Sequence, residues 1–589
     1  MTLSFSYIII YLCLSCLVAA RQDDGKTGRE QKYDFQSTLK AHRKGETAKE
    51  FVHKDTTVEV EVEYVAAALQ YDPYDDLSAG GLAVLEENAR TFIHYAGEAK
   101  DMGAQIIVFP EYGLTSLNLD LTLGTFLAQT QVVPNPEDKE VPCEYGDVKN
   151  SSKIMKELSC AAMESGIYLV VDLAEQSNCS GIAFGEEDLP FSQNGEASGV
   201  LSGCIFYNSQ VVFDDAGAVV ARYRKKHLFL EPVFTPGTDP DSTAVFETSF
   251  GVTFTLLICF DILYESPAVS NIYNLGVRDA LLSTAWIDGL PSLSAPQVWK
   301  GFSQGNNVNL VAANIYAPPG GFLGAGIFRG VYSEPEYYTY DTSSGTKLIV
   351  GKVKTKSAAP SAKRHQPGDS EVFSYKAFDD LPLLGPAQME KRQTNAMELM
   401  VNGKKIHKQS TNQNMKQKYL HEDLSRYNHT ILERTSPGVF AFQELCHVDN
   451  LCCNLTYEYP AEEPEDIVYM LIAYSGIEER GEVVYLQYVQ VCGVILCLNE
   501  TIDSCGYFEE AYVPESAFRA YSLSGTFSDR YIYPSVFTDA LQLFGAEKWN
   551  YTLSESPDHY HAIIHLHEEV NDLSMLSLFS RWFSRDPNH

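Results

Sequence analysis

Positive charge is scarce in this chain. Lysine and arginine number 44 against 78 aspartates and glutamates, a formal charge of −34. So acidic a surface is unsuited to nucleic acid or to anionic membrane, both of which attract cations. Long apolar runs are scarce as well. After the first twenty residues no stretch is long enough to cross a bilayer. The C-terminal SLFSRWFSRDPNH lacks the extended apolar tail of a lipid-anchor signal. Neither a transmembrane segment nor a lipid anchor is therefore expected, and there is no internal repeat.

What is present describes a packed protein. Apolar residues make up 45% and aromatics 12%, too many for a disordered chain. At 589 residues the length exceeds a single core and suggests about two to four domains. The opening MTLSFSYIIIYLCLSCLVAA reads as a secretory signal at 1–20, its apolar run ending in the small residues Val18-Ala19-Ala20. The basic start usual in such signals is missing. A short membrane anchor is the competing reading, disfavoured by the brevity of the run and its cleavage pattern. Asn150, Asn178, Asn428, Asn454, Asn499 and Asn550 each open an N-x-[ST] glycosylation sequon. Together these features predict a secreted, extracellular glycoprotein.

Cysteine usage isolates one thiol. Cys13 and Cys16 leave with the signal, which makes the remaining count odd. In an oxidising compartment an odd count leaves one thiol unpaired or bonded to another chain. Cys143, Cys160, Cys179, Cys204, Cys446, Cys452, Cys453, Cys492, Cys497 and Cys505 lie in polar or turn-like contexts or in a tight C-terminal cluster. Cys259 instead interrupts the apolar VTFTLLICF.

The hydrophobic rhythm divides the chain. Residues 59–70, 105–109, 168–174, 252–260, 279–286 and 309–316 read as strands, and Leu82, Leu85, Ala89, Phe92, Ile93 and Ala96 recur at helical spacing. IFYNSQVVF and AVVARY flank Asp214-Asp215-Ala216-Gly217, a hairpin signal. This alternation predicts an α/β layered domain over 58–355, after an N-terminal segment at 21–57. Residues 356–418 read as a linker, with KTKSAAPSAKRHQPGDS at its start. Residues 419–589 read as a β-rich, disulfide-stapled domain in which IVYMLIAYSG and EVVYLQYVQV pair.

Three polar residues at predicted strand ends carry the chemistry. Cys259 ends one strand, where oriented N–H groups can stabilise a thiolate or an oxyanion. Taken alone it reads more readily as an inert core cysteine. Glu111 follows QIIVF and Pro110, and Lys225, Lys226 and Glu231 follow the hairpin. A carboxylate to take a thiol proton, a cation for a developing oxyanion and a sulfur nucleophile make a complete set for acyl transfer.

The motifs PEYG, YRKKHLF and CFDILY resemble those of the nitrilase superfamily of carbon–nitrogen hydrolases. STAWIDGLPSLSA, NLVAANIY, GAGIF and LCCNLTYEY extend the resemblance to its vanin and biotinidase branch. That resemblance implies a nitrilase-type α-β-β-α sandwich followed by the vanin-type C-terminal domain. It implies Glu111 as general base, Lys225 (rather than Lys226) as oxyanion lysine, Cys259 as nucleophile, Glu231 as a positioning carboxylate and the Phe260 N–H as second oxyanion donor. It also implies no metal and no organic cofactor. The expected activity is hydrolysis of a small linear amide, with pantetheine first, a biotin amide second, and a monomeric enzyme as the expected state. A non-catalytic binding glycoprotein is the reading from another class. Two features depart from the branch: Tyr112 directly after Glu111, and the polar loop 181–199. His559, His561, His565 and His567 crowd one segment but lack a carboxylate or cysteine at ligand spacing, so they read as a solvated β-edge.

Overall fold

A computed structural model describes residues 59–119, 123–146, 150–177, 200–201, 204–238, 244–332, 334–358, 420–459, 468–480, 485–508, 519–538, 541–570 and 572–587. The signal at 1–20, the segment at 21–57, the loop 181–199, Asn178, Cys179 and nearly all of the linker fall outside them.

Two sheets form the first half. One runs Lys347–Ala358, Glu59–Gln70, Ile106–Val108, Tyr168–Ser177 and Cys204–Phe213, with Val219–Arg224 hairpinned onto Cys204–Phe213. The other places Asn309–Asn314, Asp279–Thr284 and Thr253–Ile258 side by side. The central strands of both sheets are parallel. Their residues are almost entirely buried, as expected of strands covered on both faces. Sparse polar bonds tie the sheets face to face: Tyr64 donates to Asp279 at 2.7 Å, Gln210 to Ser283 at 2.8 Å.

Helices cover the outer faces. Gly81–Asp101 and Asn150–Ser165 bury Leu85, Ala89, Phe92, Ile154 and Leu158 against Leu69, Ile107 and Leu169 of the first sheet. Leu85, Ala89, Phe92 and Ala96 are the same stripe that the helical spacing marks out. Ser270–Leu275 and Ala295–Asn306 follow the strands of the second sheet. The result is the α-β-β-α order. The last strand of the first sheet continues to Ala358, so it crosses the position at which the linker was expected to start.

The second half is built on two antiparallel sheets: a six-stranded sheet around Val468–Arg480, Tyr485–Cys497 and Leu573–Arg581, and a five-stranded sheet holding Cys452–Glu458 and His559–Leu566. The pairing of the strands around 470 and 490 follows the sequence expectation. Cys143–Cys160, Cys446–Cys452, Cys453–Cys492 and Cys497–Cys505 form disulfides, and Cys204 is also disulfide-bonded. Cys259 is the free cysteine among the described residues, and it is buried. No helix among the described residues is long and apolar enough to cross a membrane.

The halves pack directly on each other. Helix Ala295–Asn306 packs on the strand Ile532–Thr538, and Gln297 donates to Ser535 at 3.1 Å. Arg581 is fully buried, donating to the Leu263 carbonyl of the first half at 2.9 Å while pairing with Asp586 at 2.6 Å. Glycine sets the approach of the helix. A Cβ on Gly305 would sit 2.1 Å from the Ile532 carbonyl oxygen, whereas one on Gly97, also helical, would meet nothing within 4 Å.

Gly305→Ala should therefore lower the thermal midpoint, since overpacking costs typically about 1–3 kcal/mol. Gly97→Ala should leave it unchanged or raise it through helix propensity. Calorimetry on the two variants separates the boundary from a general glycine effect; an equal response would remove the steric argument.

Candidate active site

The candidate residues converge at the carboxyl ends of parallel strands from both sheets, where α/β proteins place their ligands. Glu111 lies just past Ile106–Val108, Cys259 directly after Thr253–Ile258, and Ala285 directly after Asp279–Thr284. Lys225 follows Val219–Arg224, and its N–H bonds the Asn208 carbonyl at 2.9 Å, holding it beside the neighbouring strand. An apolar strand makes each approach rigid, and its end frees a polar side chain to turn toward the others.

Lys225 is the hub. Its side chain is 1% exposed and its ammonium donates to Glu111 Oε1 at 2.7 Å and to Glu231 Oε2 at 2.6 Å. Asn208 Nδ2 bonds the same pair of carboxylates, at 2.8 Å to Glu111 and 2.6 Å to Glu231. Glu231 also accepts from the Tyr112 hydroxyl at 2.7 Å and the Phe229 N–H at 2.8 Å. An ammonium has three N–H groups, and two point at these carboxylates. Lys226 stands apart, its Nζ 3.2 Å from the Ser266 hydroxyl.

The backbone of one residue links base and thiol. The Ala285 N–H donates to Glu111 Oε2 at 2.8 Å, while the Cys259 thiol reaches the Ala285 carbonyl at 3.8 Å. Cys259 has φ of 47°, left-handed for a residue with a side chain, so the backbone bends sharply where the strand becomes the short helix Cys259–Leu263. Such strain persists only where the surroundings over-determine it. Here Asp261 supplies the constraint, accepting from Ile258 N–H at 3.3 Å, Tyr223 hydroxyl at 2.9 Å and His227 N–H at 3.0 Å. Burial pushes the Asp261 carboxyl up to about 7 against those three donors.

The electrostatics favour a neutral thiol before attack. Burial, then the Glu111 charge, holds the Cys259 thiol far above its ordinary value, with Lys225 acting in the opposite direction. Burial also raises Glu111, with the Glu231 charge adding to it, against the pull of Lys225 and the Ala285 N–H. Burial alone would lower Lys225, but Glu111, Glu231 and Cys259 outweigh it and hold the ammonium charged. Sulfur attack would require transfer of the thiol proton, and Glu111 is the carboxylate whose charge bears most on the thiol. A carboxylate, an ammonium and a thiol in such proximity are the groups that acyl transfer requires.

The structure brings Glu111, Lys225, Glu231 and Cys259 together, with Phe260 next in the chain. The sequence reading missed Asn208, which joins both carboxylates; a lone asparagine inside the apolar IFYNSQVVF was the available signal. It also missed Asp172, which accepts the Tyr112 N–H at 3.1 Å and which burial raises well above the carboxylate range, with the Glu111 charge adding to the effect. Tyr112, noted only as a departure, turns out to brace Glu231. Its φ of 58° aims the ring there. His565 and His567 are exposed, their rings 5.2 Å apart, and no group of three or more potential ligands among the described residues could hold a metal ion.

Residues 65–317 match the carbon-nitrogen hydrolase family, and residues 417–586 match the vanin C-terminal domain. Pantetheinase from Bos taurus is 28% identical over 477 residues, covering 79% of this chain and 79% of that protein. Biotinidase from Bos taurus is 30% identical over 491 residues, covering 82% and 86% respectively. Biotinidase from Takifugu rubripes is 28% identical over 506 residues, covering 84% and 90%. The fold and the matched families define an amide-hydrolysing enzyme. Within that class, the chain belongs to the vanin and biotinidase branch of the nitrilase superfamily.

Two expectations follow from the geometry. Lys225→Ala should reduce kcat by about 10²–10³, the usual effect of losing one oxyanion donor, while Lys226→Ala should change it little. Steady-state kinetics on both variants checks the assignment; the reverse order would transfer the role to Lys226. For pH, Glu111 must be ionised to accept the thiol proton, and its pKa is raised. Log kcat/KM should therefore climb with pH through an apparent value above the ordinary glutamate value of about 4.3. Lys225 lies well above 10.5 and should add no fall below pH 9 or so. An acidic limb below the ordinary value would contradict Glu111 as base.

Proposed function

We propose that the protein is a secreted amidohydrolase that cleaves pantetheine to pantothenate and cysteamine through a thioester on Cys259. The observation that carries this reading is the Lys225 ammonium held between Glu111 and Glu231 beside a free, buried thiol. Relatives named pantetheinase at 28% identity support the choice of amide. The signal-like N-terminus, the sequons and the disulfides support secretion.

In this mechanism Glu111 takes the thiol proton as the sulfur attacks the amide carbon. The carbonyl oxygen becomes an oxyanion between the third Lys225 N–H and the Phe260 N–H. Collapse breaks the C–N bond, and the departing amine takes the proton from Glu111. A water then gives a proton to Glu111 and attacks the thioester; the acid departs and the thiolate recovers that proton. No step calls for a metal or cofactor. Biotin-amide hydrolysis is the second reading, favoured by the 30% identity to a biotinidase, and it uses the same steps. A non-catalytic binding role is opposed by the complete set of polar groups, since a disused site would have little to retain a buried lysine between two carboxylates.

Pantetheine should be hydrolysed with a higher kcat/KM than biocytin at the same pH. Discrimination by pocket shape alone can be as small as about 1–3 kcal/mol, so the comparison needs purified protein and both amides side by side. A clear preference for biocytin would overturn the substrate assignment and leave the chemistry intact. Cys259→Ser and Glu111→Gln should each remove turnover by orders of magnitude; Cys259→Ser should leave the thermal midpoint near the parent value, whereas Glu111→Gln should lower it without unfolding the protein, because it removes one of the two charges that compensate buried Lys225.

A further inference from the structure

The second domain reaches the segments around the candidate site through Tyr485. Tyr485 opens the long strand Tyr485–Cys497, and its hydroxyl accepts the Leu230 N–H at 2.9 Å. Its ring stacks on Phe229 at 5.3 Å and meets Phe260 edge-on at 4.9 Å. Phe229 and Phe260 also pack on each other at 5.0 Å. These three contacts fall on two short segments. One is the turn that carries Glu231; the other begins with the nucleophile.

Each segment holds a left-handed residue at or next to the contact with Tyr485: Leu230 itself, and Cys259 beside Phe260. Leu230 has φ of 55° and is half exposed, although a leucine in that conformation costs about 1 kcal/mol or more. The bond from its N–H to Tyr485 ties down this conformation, in the turn where the Phe229 N–H holds Glu231 Oε2. On the other side, Phe260 follows the left-handed Cys259, and its ring is set between Phe229, Tyr264 and Tyr485. Arg581 anchors the far end of the same short helix through the Leu263 carbonyl.

We infer that Tyr485 is a positioning residue supplied by the second domain, locking the Glu231 turn and the Phe260 peptide so that Lys225 and the oxyanion donors are held in register. It rests on the thioester reading above, because Phe260 and Glu231 matter to rate only if Cys259 and Lys225 act as described. The effect is on the transition state rather than on substrate affinity. Misplacement of such groups by about 1 Å can cost on the order of 10²-fold in rate.

The test uses the full-length protein with pantetheine, and rates are expressed per Cys259 that can be alkylated by iodoacetamide. Tyr485→Ala should lower kcat by about 10-fold or more with KM changed less than about twofold. Tyr485→Phe keeps the ring contacts and should recover part of that loss. Ser535→Ala, which removes a boundary hydrogen bond away from the site, should leave kcat per thiol unchanged. An unchanged kcat in Tyr485→Ala, or a loss that disappears after normalisation, would overturn the inference. So would an equal loss in Ser535→Ala, because it would indicate general loosening of the boundary. Cys259→Ser is run alongside: if it retains turnover, the thioester reading is at fault, and the Tyr485 assignment falls with it.

Discussion

A buried ammonium between two carboxylates is the interaction on which the rest of the site depends. Lys225 is inaccessible to water, so its charge is tolerable only while Glu111 and Glu231 stay within hydrogen-bond distance. Glu111 is in turn pushed up by burial and by the Glu231 charge, and drawn down by Lys225. The three groups cannot be moved independently. Asn208 bonds to both carboxylates and keeps their separation matched to the ammonium. A network satisfied on all sides rigidifies, whereas the same network with one partner missing leaves a buried charge exposed to a low-dielectric interior.

The two-sheet sandwich exists, from the standpoint of this site, to bring strand ends into one place. Glu111 comes from the first sheet, Cys259 and Ala285 from the second, and Lys225 from a hairpin at the edge of the first. Apolar packing between the sheets holds these ends to within a hydrogen bond of each other over separations of up to 174 residues in sequence. Hydrophobic packing is non-directional and supplies the stability. The few buried polar bonds, such as Ser283 to the Phe109 carbonyl at 2.7 Å, supply the register.

The antiparallel domain is joined to this sandwich by contacts that differ in kind from those within it. A glycine-mediated close approach at Gly305, a buried arginine at Leu263 and an aromatic cluster at Phe229 and Phe260 are each specific in shape or direction. Two of the three fall on segments adjoining Cys259 or Glu231. The disulfides of this domain constrain its own strands, for instance Cys453 to Cys492 across the two sheets. The boundary itself is held without a covalent link among the described residues.

Much of this was legible along the chain. The apolar runs ending in Glu111 and Cys259, the stripe of Leu85, Ala89 and Phe92, and the hairpin around Asp214 are local patterns, and periodicity reports local structure. The odd cysteine count singled out Cys259 because pairing is a matter of parity in an oxidising compartment. What the chain could not convey was the meeting of distant groups. Asn208 is an ordinary polar residue until folding places it between Glu111 and Glu231. Tyr112 looked like a change in a motif, and only the fold shows its hydroxyl on Glu231. Tyr485 had no distinguishing neighbour in sequence and gains its position from a domain packed across the site. Residue type and spacing determined which chemistry was available; the tertiary structure decided which of the available groups share a proton, a charge or a turn, because those relations are set by distance in space and not along the chain.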